Sequence, residues 1–386
     1  MDYIGTVQQL QTTAFGDLDV ASPTPKIQLQ FPYNINGLET VRATTGSGTV
    51  SFSQPFAVCS TTAATNSTAS LSSKKNLHYA TGQGGLCLLT AVFTTGASGS
   101  TQWAGFANTL DALFFGYSGA TFGVNRRYNG TDNFIAQSSW NVDKMDGTGP
   151  SGMTLDPTKG NVYKIQYQWL GFGNIKFYIE NPATGTFQNV HNIQYPNSAT
   201  TTSLLNPAMQ INIQANNTAN NTNISIRCPS MSAFVQGNLI PTGNNFSFAN
   251  SKTIATTLTS IFGLKNNTTF NGITNYKSIY LTGLSFTNAG AISVVTLILN
   301  GTIGGSPVYT NISSTTSVAS VDIAGTSVTA GTTIMTLYNA TNTSITYDLS
   351  DLNFYLEAGD VLSFCGNNTT GGGVALYGTL NWIEQY

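Results

Sequence analysis

Residues Asn161 to Asn192, NVYKIQYQWLGFGNIKFYIENPATGTFQNVHN, carry the reading that decides the fold. Val162, Lys164, Gln166 and Gln168 alternate with Tyr163, Ile165, Tyr167 and Trp169, and a period of two predicts a strand with one aromatic and aliphatic face. After the Gly171 to Gly173 turn, Ile175, Phe177 and Ile179 repeat the pattern, and Asn181-Pro182 with Thr184-Gly185 turns the chain into Phe187 to Val190. This is a β-meander. A meander with one greasy face needs a second sheet above it, because an isolated hairpin is marginal in water. The fold expected is therefore a β-sandwich.

At 386 residues the chain is long for one core, and two units are expected. Only 8% of residues are charged, against about 25% in an ordinary soluble domain, so Ser, Thr, Asn, Gln and Gly must cover the exterior. A formal charge of -2 with thinly scattered Lys and Arg excludes a nucleic-acid binder, which needs a basic stripe. The doublets Lys74-Lys75 and Arg126-Arg127 read as solvated or turn positions. Cys59, Cys87, Cys228 and Cys365 lack metal-binding spacing and sit in core-like runs such as LCLLTAVF, so buried free thiols are expected. MDYIGTVQQL has no apolar leader pattern, and the longest apolar piece, Ala291 to Leu299, falls far short of the roughly 20 residues that span a bilayer. No membrane insertion is expected. Asn-x-Ser/Thr triplets at Asn66, Asn129, Asn216, Asn245, Asn300, Asn311, Asn339 and Asn368 follow from the abundance of Asn, Ser and Thr.

In chain order, residues 1–30 read as an N-terminal arm interrupted by Pro23 and Pro25. Ile27 to Ile35, IQLQFPYNI, alternates weakly and suits an edge strand, in its own sandwich or a neighbour's. Residues 31–238 form the first sandwich. Pro55 interrupts the strand pattern of Thr49 to Cys59, as an edge or bulge would, and Ser60 to Ser73 reads as a loop. Gly82 to Ser100 is a central strand, Ala112 to Val124 a hairpin turning at Gly116 to Gly119, and Asp143 to Lys159 an irregular loop. Residues 239–252 read as a linker. Residues 253–386 carry eight strand patterns separated by turn signals, the mark of a second, jelly-roll-like sandwich. The fold class is all-β, two tandem sandwiches behind an extended arm.

The strings FFGYSGATFGVNRRYNGTDNFI, from Phe114, and WNVDKMDGTGPSGMTLDPTKGNVYKIQYQWLGFGNIKFYIENPATGTF, from Trp140, resemble a family of virion structural proteins of tailed bacteriophages and large DNA viruses. LKNNTTFNGITN, Leu264 to Asn275, and the final LNWIEQY are similar to the second half of the same proteins. The resemblance implies a virion component with no catalytic residues to carry over. The first unit also resembles a laminin-G or concanavalin-type sandwich.

Titratable chemistry is sparse. The glutamates Glu39, Glu180, Glu357 and Glu384 are far apart, without the paired carboxylates of a sandwich-fold glycosidase. His78 and His191 read as structural. Asp143, Asp146 and Asp156, around a Gly-rich loop, are the candidate ligands for a metal ion, which would be Ca²⁺. Tyr117, Tyr128 and Trp140 lie near expected hairpin ends beside Asn129 and Asn133, where rings and amides can hold a sugar.

The function expected is that of a viral structural protein, a minor capsid, vertex or capsid-surface component without enzymatic activity. It would be assembled in the host cell interior against other virion proteins, the major capsid protein first, as a trimer or pentamer of itself. A surface of short polar side chains loses little rotamer entropy on docking and makes contacts insensitive to salt. The alternative is a glycan-binding host-recognition module of a fibre or tail, and a third reading is a polysaccharide-cleaving enzyme with two carboxylates within about 10 Å.

Overall fold

The alternating runs fold as strands throughout. In a computed structural model, described here for residues 22–79, 81–237, 243–352 and 354–385, the regular elements are β-strands and two short 3₁₀ turns. The chain divides into two compact units, Met1–Leu239 and Ile240–Tyr386.

The first unit contains β1 (Pro23–Gln30), β2 (Thr40–Thr45), β3 (Thr49–Ser53), β4 (Phe56–Ser60), β5 (Ser67–Ser73), β6 (Gly84–Phe93), β7 (Ser100–Ala107) and β8 (Ala112–Ser118). It continues with β9 (Thr121–Tyr128), β10 (Thr131–Ala136), β11 (Asn161–Tyr167), β12 (Ile175–Asn181), β13 (Thr186–Ile193), β14 (Gln210–Asn217), β15 (Ser225–Cys228) and β16 (Ser230–Gln236). One sheet runs β13-β12-β11-β6-β15-β4-β3, with β16 also on β6 and β1 on β16. The other runs β10-β9-β8-β7-β14-β5-β2. The expected meander is β11-β12-β13, and Tyr163, Ile165, Phe177 and Ile179 are fully buried between the sheets. Rings interlock there: Phe115 meets Tyr163 at 4.9 Å, Phe177 at 5.3 Å and Trp140 at 6.2 Å between centroids. The last two are edge-to-face, and aromatic pairs of that kind add about 0.5–1.5 kcal/mol each beyond their buried area.

The second unit contains β17 (Gly243–Ile254), β18 (Thr259–Asn266), β19 (Thr269–Phe270), β20 (Ile273–Thr274), β21 (Ser278–Ala289), β22 (Ser293–Leu299), β23 (Thr302–Ile303) and β24 (Tyr309–Asn311). After these come β25 (Ala319–Asp322), β26 (Val328–Thr329), β27 (Thr332–Asn339), β28 (Ser344–Asp348), β29 (Tyr355–Leu356), β30 (Val361–Asn368) and β31 (Val374–Gln385). Its sheets run β17-β31-β21-β28, with β29 on β21, and β24-β25-β18-β30-β22-β27. The first long strand pairs with the last and the second with the last but one, the wrap of a jelly roll. Buried carboxylates hold its loops. Asp322 accepts the N–H groups of Val308, Ala324 and Gly325 at 2.7–3.0 Å, and Glu384 accepts Ser317 Oγ, Val318 N and Trp382 Nε1 at 2.5–3.2 Å.

Four expectations are corrected. Residues 23–30 of the arm are a strand of the first unit's own sheet, paired with β16 from Pro23 to Gln30; the remainder of the arm lies outside the described residues. Residues 243–252 of the linker belong to β17, paired with β31 along its length, because Phe246 and Phe248 pack into the second core; 239–242 lie outside the described residues. The Ser60 to Ser73 loop contains β5, whose Ala69 and Leu71 face the core while Ser70 and Ser72 face out. Pro55 sits in the two-residue turn of the β3–β4 hairpin, where it costs no ladder hydrogen bond.

Candidate functional site

The outer face of the seven-stranded sheet is the site best furnished for binding. Alternation along β7 sends Gln102, Ala104 and Phe106 inward and Trp103 outward. Register then sets Asn125, Phe114, Gly105, Asn212 and Ser72 in one row across five strands, and Gly123, Gly116, Trp103, Gln214 and Ser70 in the next. Gly116 must be glycine, because at φ 159° a Cβ would lie 1.8 Å from the carbonyl oxygen of Gln102.

Trp103 stacks on Phe114 with centroids 5.2 Å apart and planes 25° from parallel. The Arg127 guanidinium lies 4.9 Å over the indole, which leaves the residue 7% exposed. Arg127 is held by Asp132 through two bonds, Nε to Oδ1 at 2.9 Å and Nη2 to Oδ2 at 3.1 Å, and the two side chains keep 24% and 38% of their surface in solvent. Asn125 Nδ2 donates to Asp132 Oδ1 at 2.8 Å, and Asn212 Nδ2 donates to Ser70 Oγ and Ser72 Oγ at 2.9 and 2.8 Å. Those bonds orient both amides, and Asn125 Oδ1, Asn212 Oδ1 and Trp103 Nε1 remain buried without a partner. A buried polar atom left unmade costs roughly 1–3 kcal/mol, so three on one sheet face mark a surface not optimised for stability alone. Asp132 is the one acidic residue contributed by the strands of this sheet.

Of the residues singled out for glycan binding, Tyr117 and Trp140 are buried, which is a correction. Tyr117 faces inward from β8 against Phe122 at 5.1 Å, and Trp140 packs edge-on to Phe115 and Phe122. Neither presents a face to a sugar. Tyr128 is half-buried under Arg126, and exposed Asn129 holds φ 47° before Gly130 at φ 78° because a two-residue hairpin turn requires positive φ at both positions. The candidate metal ligands do not converge either. Asp143 is buried and accepts Met145 N and Ser151 N at 2.8 Å, while exposed Asp146 and Asp156 each close a local turn. The hydroxyl and N–H of Thr148, and likewise of Thr158, hold those two carboxyls below the usual range. Among the described residues no three His, Cys, Asp or Glu side chains gather to hold an ion.

Arg126 is not solvated as its doublet implied: Nη1 donates to the Ser203 carbonyl at 2.8 Å and the guanidinium lies 5.2 Å from the Tyr195 ring. His191 is buried and its Nδ1 accepts Asn141 N–H at 3.2 Å; burial pushes its pKa down. All four cysteines are free and buried, and burial pushes the Cys87, Cys228 and Cys365 thiols up to about 12. Among the described residues no helix is long and apolar enough to cross a membrane. Sequence reading passed over Trp103, Phe114, Asn125 and Asn212; the alternation of STQWAGFA, which puts Trp103 opposite in parity to Ala104 and Phe106, was the available signal.

No family model matches the chain, and no curated protein matches it. Among solved structures it is similar to a native glycosidic hydrolase at 12% identity, over 58% of this chain and 100% of that one, with a TM-score of 0.38. It is also similar to a Bacillus licheniformis β-glucanase (13% identity, 56% and 98% covered, TM-score 0.36) and to a legume lectin-like domain from Entamoeba histolytica (12%, 53% and 95%, TM-score 0.33). The chemistry of the site is read from its own residues.

Proposed function

We propose that the first unit binds neutral glycans on the outer face of its seven-stranded sheet. The observation that carries this reading is the partly exposed Arg127–Asp132 pair over Trp103, flanked by the amides of Asn125, Asn212 and Gln214. Sugar hydroxyls both donate and accept, and this face offers guanidinium and amide donors beside carboxylate and amide acceptors. The cation is matched by its acid, so an uncharged ligand is favoured over an anionic one. When Arg127 swings into solvent the indole becomes a stacking surface, and a ligand there meets the three orphaned atoms. With one carboxylate on the sheet, the face lacks the acid and base or nucleophile pair of glycoside cleavage, and we read it as a binding site rather than an active site.

A glycan array with the intact chain, followed by titration of the strongest neutral oligosaccharide, tests the proposal. Gln214→Ala and Asp132→Asn are expected to weaken binding tenfold or more with unfolding temperature unchanged, and chromatography should recover the sugar uncut. Failure to bind any glycan, or binding indifferent to both variants, sinks it. Cleaved product would move the protein to the enzyme reading.

A second reading, assembly into a virus particle against copies of itself and a major capsid protein, is favoured by one feature of the second unit. The outer face of β17 and β31 exposes Asn245, Ser247, Ala249, Ser251, Thr253, Tyr377 and Asn381, small or uncharged side chains suited to salt-insensitive docking. The two readings are compatible in a glycan-binding protein of a particle surface. Light scattering that gives a monomer up to high concentration would remove the self-assembly half.

A further inference from the structure

The second unit holds a polar cavity of about 290 Å³ between the segment following β18 and the turn following β24. Lys265, Asn267, Thr268 and Phe270 line one side, and Asn311, Ser314 and Ser317 the other. Both walls are locally rigid. β19 and β20 are joined by Asn271-Gly272 at φ 51° and 75°, a two-residue turn that fixes the hairpin carrying Phe270. Opposite, Ser313 Oγ accepts the N–H groups of Thr315 and Thr316, while buried Glu384 anchors Ser317 Oγ at 2.5 Å and Val318 N at 2.8 Å.

The polar groups have a definite sense. Ser320 Oγ donates to Asn267 Oδ1 at 2.8 Å, so Asn267 Nδ2 faces and donates to Asn311 Oδ1 at 3.2 Å, and what Asn311 has left for the cavity is its Nδ2 donor. Lys265 adds a cation, 5.2 Å from the Tyr309 ring centroid and without an ion pair among the described residues. The Lys277 ammonium lies 5.3 Å from the Phe270 ring centroid. No Asp or Glu lines the cavity, and Glu384 behind Ser317 is occupied by three donors, Trp382 Nε1 included. The cavity is thus rich in donors and hydroxyls, carries one unmatched positive charge, and is at the small end of ligand sites, which start at about 300 Å³.

We propose that it binds an acidic monosaccharide, a single hydroxylated ring bearing a carboxylate or a sulfate. The anion sits on Lys265 Nζ and Asn311 Nδ2, the ring hydroxyls meet Thr268 and Ser314, and the apolar edge of the ring faces Phe270. The proposal is independent of the site on the first unit.

Calorimetric titration of the full chain with glucuronate, glucose 6-sulfate, glucose and inorganic sulfate tests it. At least one of the two acidic sugars is expected to bind, with glucose and sulfate at least tenfold weaker, and affinity should fall as salt is raised. Lys265→Gln should weaken the acidic sugar tenfold or more, and Gln214→Ala, in the first unit, should leave it unchanged. If Lys265→Gln does not fold, the exposed Asn311→Ala carries the test, with a loss of several-fold expected. Glucose binding as tightly as the acids, no binding by any probe, or indifference to both second-unit variants overturns the proposal; sulfate binding as tightly as the sugars overturns its sugar part.

Discussion

The two units fill the space between their sheets with different side chains and close their loops with the same chemistry. The first interlocks rings, with Phe93, Phe115, Phe122, Tyr163 and Phe177 in mutual edge-on or tilted contact. The second stacks Phe262 on Phe364 at 5.2 Å, with Phe248 edge-on to Phe262 and Phe246 stacked on Trp382, amid a core made mainly of Ile, Leu and Val, and it buries Asp322, Glu357, Asp360 and Glu384. The first unit uses buried acids in the same manner, with Asp111 accepting Leu205 N and Asn206 N and Asp143 holding its own loop. In a chain with so few charges, carboxylates are placed where several loop N–H groups would otherwise lose water without gaining a partner. An acid in this protein is therefore a poor guide to catalysis or metal binding.

The contrast is open to direct attack, and hydrogen-exchange mass spectrometry reads each unit separately. The largest effect is expected from Phe115→Ala, which removes a fully buried ring touching three others and should cost the first unit about 3–5 kcal/mol, with protection in the second unchanged. Asp322→Ala should do the reverse. It strips the acceptor from three backbone donors and is expected to cost the second unit about 2–3 kcal/mol, lost first in the 304–326 segment.

Acid separates the units next. Both histidines of the chain lie in the first, and both are harder to protonate folded than unfolded: burial, then Lys26, lowers His78 to about 4, and burial lowers His191. Below an unfolded pKa of about 6.5 the unfolded chain binds protons that the folded one does not, so stability falls as pH drops from there towards 4. We expect a loss of roughly 1–2 kcal/mol in the first unit over that window, discounted for partial solvent contact, and little change in the second; equal losses in both would break the contrast. The smallest effect concerns the acidic loop. Because Asp146 and Asp156 each serve their own turn, Ca²⁺ or a chelator should leave the melting temperature of the first unit within about 1 °C, and a larger Ca²⁺-dependent rise would restore the metal site.

Legibility differed between backbone and site. Long strands with an unbroken period of two, such as Asn161 to Tyr167 or Val374 to Gln385, were readable because alternation alone reports one buried face. Ser67 to Ser73 was not, since its strand character comes from pairing β2 and β14 on either side, and Ser, Thr and Ala carry little signal of their own. Gly243 to Lys252 looked like a linker for the same reason: Asn, Ser and Gly on its exposed face concealed Phe246 and Phe248 on the other. The candidate site was less visible still. Tyr117 and Trp140 attracted notice as aromatics near turns, but whether a ring points in or out depends on the parity of its strand relative to its neighbours.

What the sequence determined by itself is the class of the protein: all strand, two sandwiches, a surface made of short uncharged side chains, thiols kept inside. These follow from local periodicity and composition, which act over a few residues. Only tertiary structure decided that Trp103 and Phe114 meet Arg127, Asp132 and Asn212 on one face, and that Lys265 meets Asn311 across a cavity. Such meetings depend on cross-strand register between segments up to about a hundred residues apart, and register is the sum of every pairing in the sheet rather than a property of any one segment.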